Sequence, residues 1–310
     1  MTTAGTEYRV SSPLAVATET VSPPDWVWDL VDRSAPASSS TSGQVQDFRG
    51  ADSVLLSACI PGATSLGALQ LQQSVCTLYL SLTQRLESLH FPHAVRLWNF
   101  IPHIHARMGS RSEGILDRYM VFNAGRYAAY ARWYGETGTG PRSATATGIG
   151  HSGEDLLVHC LATRTPGIAV ENPRQVPAYR YSLRRGPLPP CFARATVATL
   201  DGDRLLMVGG TASVRGEMSV HPGDLEAQFA ETLTNMAALI VGKAEMTKQE
   251  IQTALSRYRT LRVYCAHSSD VAMVRRGVQR SFASLDSVEY VRADVCRRTL
   301  LVEIEGVASL

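Results

Sequence analysis

Near the end of the chain, in the stretch RADVCRRTLLVEIEG (Arg292–Gly306), Val302 and Ile304 alternate with Glu303 and Glu305. A period of two marks a β-strand, whose successive side chains point to opposite faces. Two carboxylates on one strand face have two uses. Both can stand in water, the common fate of glutamate. Alternatively, one lines a pocket, where loss of water raises its pKa and keeps a proton available near neutrality for general acid catalysis. The residues alone leave both uses open.

Other candidates are weaker. GHSGE (Gly150–Glu154) has glutamate where a nucleophile elbow needs glycine. ETGTGPR (Glu136–Arg142) is Gly-rich but lacks the Lys-Ser/Thr of a phosphate loop, and reads as a flexible loop. His103 and His105 stand at strand spacing without an evident third ligand, so no metal site is expected. The pair Gly209-Gly210 in VGGTASVRGE marks either a simple bulge or a backbone wall against a flat ligand.

Composition bounds the class. The 310 residues are 45% hydrophobic and 19% charged, which suits a globular protein with a sizeable core. A net charge of +2 argues against nucleic acid as a partner. Lys243 and Lys248 are the only lysines, so 30 − 2 = 28 basic residues are arginines. A GC-rich genome explains most of that bias, although planar arginines also suit a carboxylate-rich ligand. The six cysteines are scattered without a zinc-like spacing, and no signal peptide or membrane-length apolar run is present. A cytoplasmic protein with reduced thiols is expected, with no membrane association.

The elements that must position these groups read as one unit written twice. Residues 1–50 form an N-terminal extension; its SAPASSSTSGQ (Ser34–Gln44) reads as a flexible loop and its two tryptophans as packing against the body. Residues 51–185 hold the first copy and a linker. Strand Val54–Ile60 leads to a helix striped by Leu71, Val75, Leu78, Leu82, Leu86 and Leu89, then strand His93–Ile101, helix Ile115–Tyr134 and strand Glu154–Thr163. Residues 186–310 hold the second copy. Strands Phe192–Thr199 and Arg204–Ser213 join at the turn DGD; a helix striped by Leu225, Phe229, Leu233, Met236 and Ile240 follows, then strand Thr260–Ala266, helix Asp270–Leu285 and a closing hairpin around Arg292–Gly306. Each copy places two helices on one face of a sheet, an α+β arrangement. The Pro-rich link Glu171–Pro190 is expected to be extended.

The second copy resembles the YjgF/RidA family through GPLPPCFARA, MVGGTASVRGE, LRVYCAHSSD and VEIEGVA. Across Val54–Ala308 the chain more specifically resembles the chorismatases, through RLWNFIPHI, RYMVFNAGRYAAY, ENPRQVPAYRYS, GGTASVRGE and LLVEIEG. That resemblance implies two YjgF/RidA-like (chorismate mutase-like) α/β sandwich halves with helices on one face of mixed sheets. It also implies a cofactor-free conversion of chorismate to 3-hydroxybenzoate and pyruvate. The family's acid falls on Glu303, which should face a pocket between the halves while Glu305 lies nearer the sheet's end and solvent. Carboxylate binding falls on Tyr119 and Arg126, with Arg276 on the corresponding helix of the second copy. Tyr179 or Tyr181 from the link is expected to close the pocket. Cys296 and Gly209 match the 3-hydroxybenzoate-forming pattern, where alanine at the cysteine position accompanies hydrolysis to a dihydroxycyclohexadiene carboxylate. Rival readings are that hydrolytic reaction, a YjgF-type imine deaminase or small-ligand binder, and a structural interaction module. The expected assembly is a monomer whose duplication mimics an oligomer, with a trimer as the alternative.

Overall fold

A computed structural model describes residues 20–33, 45–108, 116–135 and 143–310. The ETGTGPR loop, the SAPASSSTSGQ segment and the first nineteen residues lie outside the described residues. In chain order the elements are α1 (Asp25–Trp28), β1 (Val45–Arg49), β2 (Ser53–Ile60), α2 (Ala68–Ser88), β3 (His93–Pro102), β4 (Arg107–Met108), β5 (Leu116–Asp117), α3 (Arg118–Tyr134), β6 (Thr145–His151), β7 (Leu156–Thr163) and β8 (Ile168–Val170). Then come β9 (Ala195–Leu200), β10 (Asp203–Ala212), β11 (Val214–Arg215), β12 (Met218–Ser219), α4 (Leu225–Val241), α5 (Lys248–Leu255), β13 (Tyr258–Cys265), α6 (Val271–Ser281), β14 (Ser287–Arg292), β15 (Asp294–Val295) and β16 (Val302–Ser309).

Two six-stranded mixed sheets carry the fold. The first runs β1-β2-β7-β3-β6-β15 and the second β14-β13-β16-β10-β9-β8. In each, one parallel pair (β3 with β6, β13 with β14) stands beside antiparallel neighbours. The order is therefore repeated, with β2, β7, β3 and β6 corresponding to β10, β16, β13 and β14. The fold is α+β.

Side-chain alternation sorts each strand between two cores. On β2, Val54, Leu56 and Ala58 pack with Leu71, Val75, Leu78, Leu82 and Leu86 of α2. On the second sheet, Val302, Ile304 and Ala308 pack with Phe229, Leu233 and Met236 of α4 and Val274 and Val278 of α6. The opposite faces form a third core: Leu55, Trp98, Phe100 and Ile149 of the first sheet meet Met207, Tyr264 and Val307 of the second. The layers are helices, sheet, sheet, helices. Trp26 packs edge-on to Trp98, so the N-terminal segment also seals this middle layer.

The two sheets exchange short strands. β8, just ahead of the link, pairs with β9 of the second sheet, and β15 pairs with β6 of the first. The hairpin expected over Arg292–Gly306 is therefore not formed. Its first arm crosses to the other sheet, and β16 instead lies between β13 and β10. β6 was not legible as a strand because Gly148 and Gly150 interrupt its pattern. A Cβ at Gly150 would approach Ile104 Cγ2 to 2.4 Å, and one at Gly148 would approach the Tyr119 ring to 3.1 Å, so close packing excludes larger residues.

Candidate active site

Glu303 and Glu305 share the face of β16 that looks toward the first sheet, since Val302 and Ile304 fill the helix-side core. Both are buried, at 3% and 2% exposure. The expectation that Glu305 lies toward solvent is thus corrected. Polar alternation here means contact with a second sheet, not with water.

Glu303 lines a cavity of about 310 Å³ between the halves. This lies at the lower end of ligand-pocket sizes, roughly 300–1,000 Å³. Burial, followed by the charge of Glu305, pushes the Glu303 carboxyl up to about 8, against the pull of Arg96, Arg297 and Arg194. Gly210 makes room for it: a Cβ there would stand 1.8 Å from Glu303 Oε1.

Helix α3 supplies the cavity's next wall. Asp117 caps it by accepting from the Met120 N–H at 2.9 Å. Gly125 lets it approach α2, since a Cβ there would meet the Gln72 carbonyl oxygen at 2.5 Å. Tyr119 and Arg126 both line the cavity. Burial, together with nearby Cys296, raises the Tyr119 phenol. Arg126 is 2% exposed, donates to Asn123 Oδ1 at 3.0 Å, and faces the rings of Phe122 and Phe192. Among the described residues it has no carboxylate partner, its neighbours being Tyr79, Tyr119, Tyr130 and Cys191, and its Nε has no hydrogen-bond partner. A buried guanidinium in this condition is prepared for an anion from outside.

Cys296 also lines the cavity, in the turn between β15 and β16. The strand exchange brings it there. Of the link tyrosines, Tyr181 reaches the cavity, where its hydroxyl accepts from Arg194 Nη2 at 2.6 Å. Tyr179 does not line it; it packs against the first half's core beside Arg180. Gly209 does not line it either. Its N–H donates to the Arg194 carbonyl at 2.9 Å, and a Cβ there would meet Thr145 Cγ2 at 2.8 Å. It therefore serves the close approach of β10 to β6, and Gly210 is the member of the pair that faces the cavity. Arg276 is exposed on α6 and lies outside the cavity, because that face of α6 looks away from the second sheet.

Sequence reasoning missed Arg194 and Arg297. Arg194 donates to the Val176 carbonyl at 3.0 Å, and its Nε has no hydrogen-bond partner. Arg297 donates to the Glu217 carbonyl at 3.0 Å. Arg194 stands one residue ahead of β9, within the stretch expected to be strand, and Arg297 in the turn after the short edge strand β15, so neither position has a neighbouring pattern that marks its direction. Gly210 was legible in principle, as the neighbour of Gly209. Among the described residues no cluster of three or more His, Cys, Asp or Glu is placed to hold a metal ion, and no helix is long and apolar enough to cross a membrane.

The family model described as "Chorismatase FkbO/Hyg5-like, N-terminal" matches residues 29–162. A Streptomyces hygroscopicus protein named 3-hydroxybenzoate synthase is 38% identical over 236 residues, covering 74% of this chain and 67% of its own. The chain belongs to the chorismatase family. A second family member, named chorismatase, from Streptomyces rapamycinicus, is 32% identical over 237 residues, covering 75% of this chain and 69% of its own. A crystal structure of a chorismatase superposes with a TM-score of 0.74 at 28% identity, covering 88% of this chain and 80% of that one. The two-sheet architecture is thus that of a chorismatase.

Proposed function

We propose that the chain converts chorismate to 3-hydroxybenzoate and pyruvate. The observation that carries this reading is Glu303: a carboxyl raised to about 8, buried in a cavity that also holds an arginine without a carboxylate partner. Chorismate carries a ring carboxylate and an enolpyruvyl carboxylate. Arg126 supplies the charge for one, with Arg194 and Arg297 for the other, as planar donors suited to two parallel hydrogen bonds. Glu303 is protonated near neutrality and gives its proton to the enol ether methylene carbon. The bond from ring C3 to the ether oxygen then breaks and pyruvate leaves. The substrate's own 4-hydroxyl oxygen bonds to C3 and returns a proton to the Glu303 carboxylate. Opening of that epoxide at C4, with the C3 hydrogen leaving as a proton and the oxygen on C3 taking one up, yields the aromatic 3-hydroxyl. The protein's part is to orient the two carboxylates, hold the proton and limit water.

Cys296 supports the internal route over hydrolysis. It occupies cavity space beside Tyr119, and a water placed there would compete with the 4-hydroxyl for C3. The experiment is incubation with chorismate, pyruvate detection and chromatography of the aromatic product. Wild type should release pyruvate and 3-hydroxybenzoate together. Glu303→Gln should lose at least ~10²-fold in turnover. Cys296→Ala should keep pyruvate release and shift product toward the dihydroxycyclohexadiene carboxylate, since ~1.4 kcal/mol changes a partition tenfold. Near-normal turnover by Glu303→Gln overturns the assignment of the acid, and an unchanged product ratio removes Cys296 from product choice.

A further inference from the structure

Glu305 is bound more completely than Glu303. Its Oε2 accepts from Arg96 Nη2 at 2.7 Å and from the Thr147 hydroxyl at 2.5 Å, and its Oε1 accepts from Trp98 Nε1 at 2.9 Å. All three donors belong to the first sheet, on β3 and β6. The Thr147 hydroxyl itself accepts from Arg96 Nη2 at 2.5 Å and from the Gly210 N–H at 3.0 Å, so its one proton goes to Glu305. Three donors and no acceptor make Glu305 a carboxylate anion.

Adhesion of the sheets does not account for this arrangement. A buried ion pair gives little net stability, because desolvation offsets the attraction, and apolar side chains of similar volume commonly hold as well or better. Trp98, Phe100, Met207 and Val307 already supply apolar contact across the same layer. Moreover, the network ends at the Gly210 N–H, the residue on which the Glu303 carboxyl rests.

We infer that Glu305 is a positioning residue for the proposed reaction: a fixed anion, tied to the first sheet by Arg96, Trp98 and Thr147, that keeps its strand neighbour Glu303 in the acid form. The inference rests on the reading of Glu303 as the proton donor. The charges facing Glu303 are Glu305 on β16, Arg96 on β3, Arg194 ahead of β9 and Arg297 in the turn after β15, with Tyr119 of α3 also close. His105, Asp117 and Arg126 also line the cavity. Burial and the like charge raise the Glu303 carboxyl and the three arginines lower it. Glu305 is the one anion among the direct contributors to that balance, and Arg96 is largely engaged with it.

The test compares wild type, Glu305→Gln and Glu305→Asp in the pH profile of kcat/KM with chorismate, and in the infrared band of a protonated carboxyl. Wild type should lose activity as pH rises through about 8. The band to follow is the part of the pH 7 absorption that Glu303→Gln lacks, which separates it from Glu171, a carboxyl itself raised to about 7. Glu305→Gln removes the anion and frees Arg96 to act on Glu303. Its limb should move to lower pH by about one unit or more, with loss of the band at pH 7 and the activity restored in acid. Glu305→Asp keeps the charge and should keep the wild-type limb whatever its absolute rate; if Glu305→Gln does not fold, this variant decides. A limb and band unmoved in Glu305→Gln, a limb displaced in Glu305→Asp, or a wild-type spectrum without the band overturns the inference. The band is read without substrate. A band that moves in a protein inert to chorismate sinks the proposed reaction and leaves the coupling of the two carboxyls standing.

Discussion

Arg126 and Arg276 stand on corresponding helices, and the fold gives them opposite surroundings. Arg126 is buried against Phe122 and Phe192 in the cavity, while Arg276 is exposed. Truncating a buried charge that meets a substrate carboxylate leaves the other charge desolvated and unpaired, at a cost of about 2–5 kcal/mol. Arg126→Ala should therefore lower kcat/KM for chorismate by that amount, and Arg276→Ala should leave it within twofold of wild type by steady-state kinetics. Equal losses in both would place substrate binding elsewhere. The position of Glu303, Tyr119, Arg126, Tyr181 and Cys296 at one cavity was legible from motifs, through the family resemblance. That of Arg194 and Arg297 was not, because nothing in FARA or CRRT indicates which way a guanidinium turns once the halves meet.

At the scale of the strand, β10 carries a register shift between Val208 and Thr211 and passes β6 at close range. The two glycines in that shift divide the work. A Cβ at Gly209 would press on Thr145 Cγ2 and on the Ala146 carbonyl oxygen at 3.1 Å, both on β6. A Cβ at Gly210 would land on the Glu303 carboxyl. Overpacking typically costs 1–3 kcal/mol, so Gly209→Ala should lower the thermal midpoint by about that equivalent. Gly210→Ala should act chiefly on kcat/KM, because a displaced carboxyl relieves the clash at the expense of proton delivery. Melting curves and kinetics on both variants check the division, and a Gly210→Ala enzyme with unaltered kcat/KM contradicts it. The doublet itself announced a bulge or a close approach; which neighbour required each glycine depended on the second sheet.

For the whole molecule, the raised Glu303 carboxyl makes stability depend on pH with a definite sign. Between the ordinary glutamate value of 4.5 and about 8 the folded state holds a proton that the unfolded chain has released. Stability from this group is therefore complete below the unfolded value and falls as pH rises through the window, by at most ~1.4 kcal/mol per unit. Glu303→Gln carries no such proton. The difference in stability between wild type and Glu303→Gln, measured by chemical denaturation from pH 5 to pH 9, should move in favour of the variant up to about pH 8 and level off above it. A difference independent of pH would mean that Glu303 is ionised throughout.

The amino-acid sequence by itself determined the elements. The leucine stripe of α2, the Phe229–Met236 stripe of α4 and the apolar runs of β2, β3 and β13 depend on local periodicity, which a chain carries without its partners. It determined the order of those elements twice over, and the motifs that singled out Glu303 and Arg126. Only the tertiary structure decided that both faces of β16 are dry, since a polar face reads alike whether it meets water or a second sheet's Arg96 and Trp98. It also decided that β15 leaves its neighbours to pair with β6 and brings Cys296 to the cavity. Strand partners so distant in sequence are chosen by the packing of two completed sheets, and no local pattern encodes that choice.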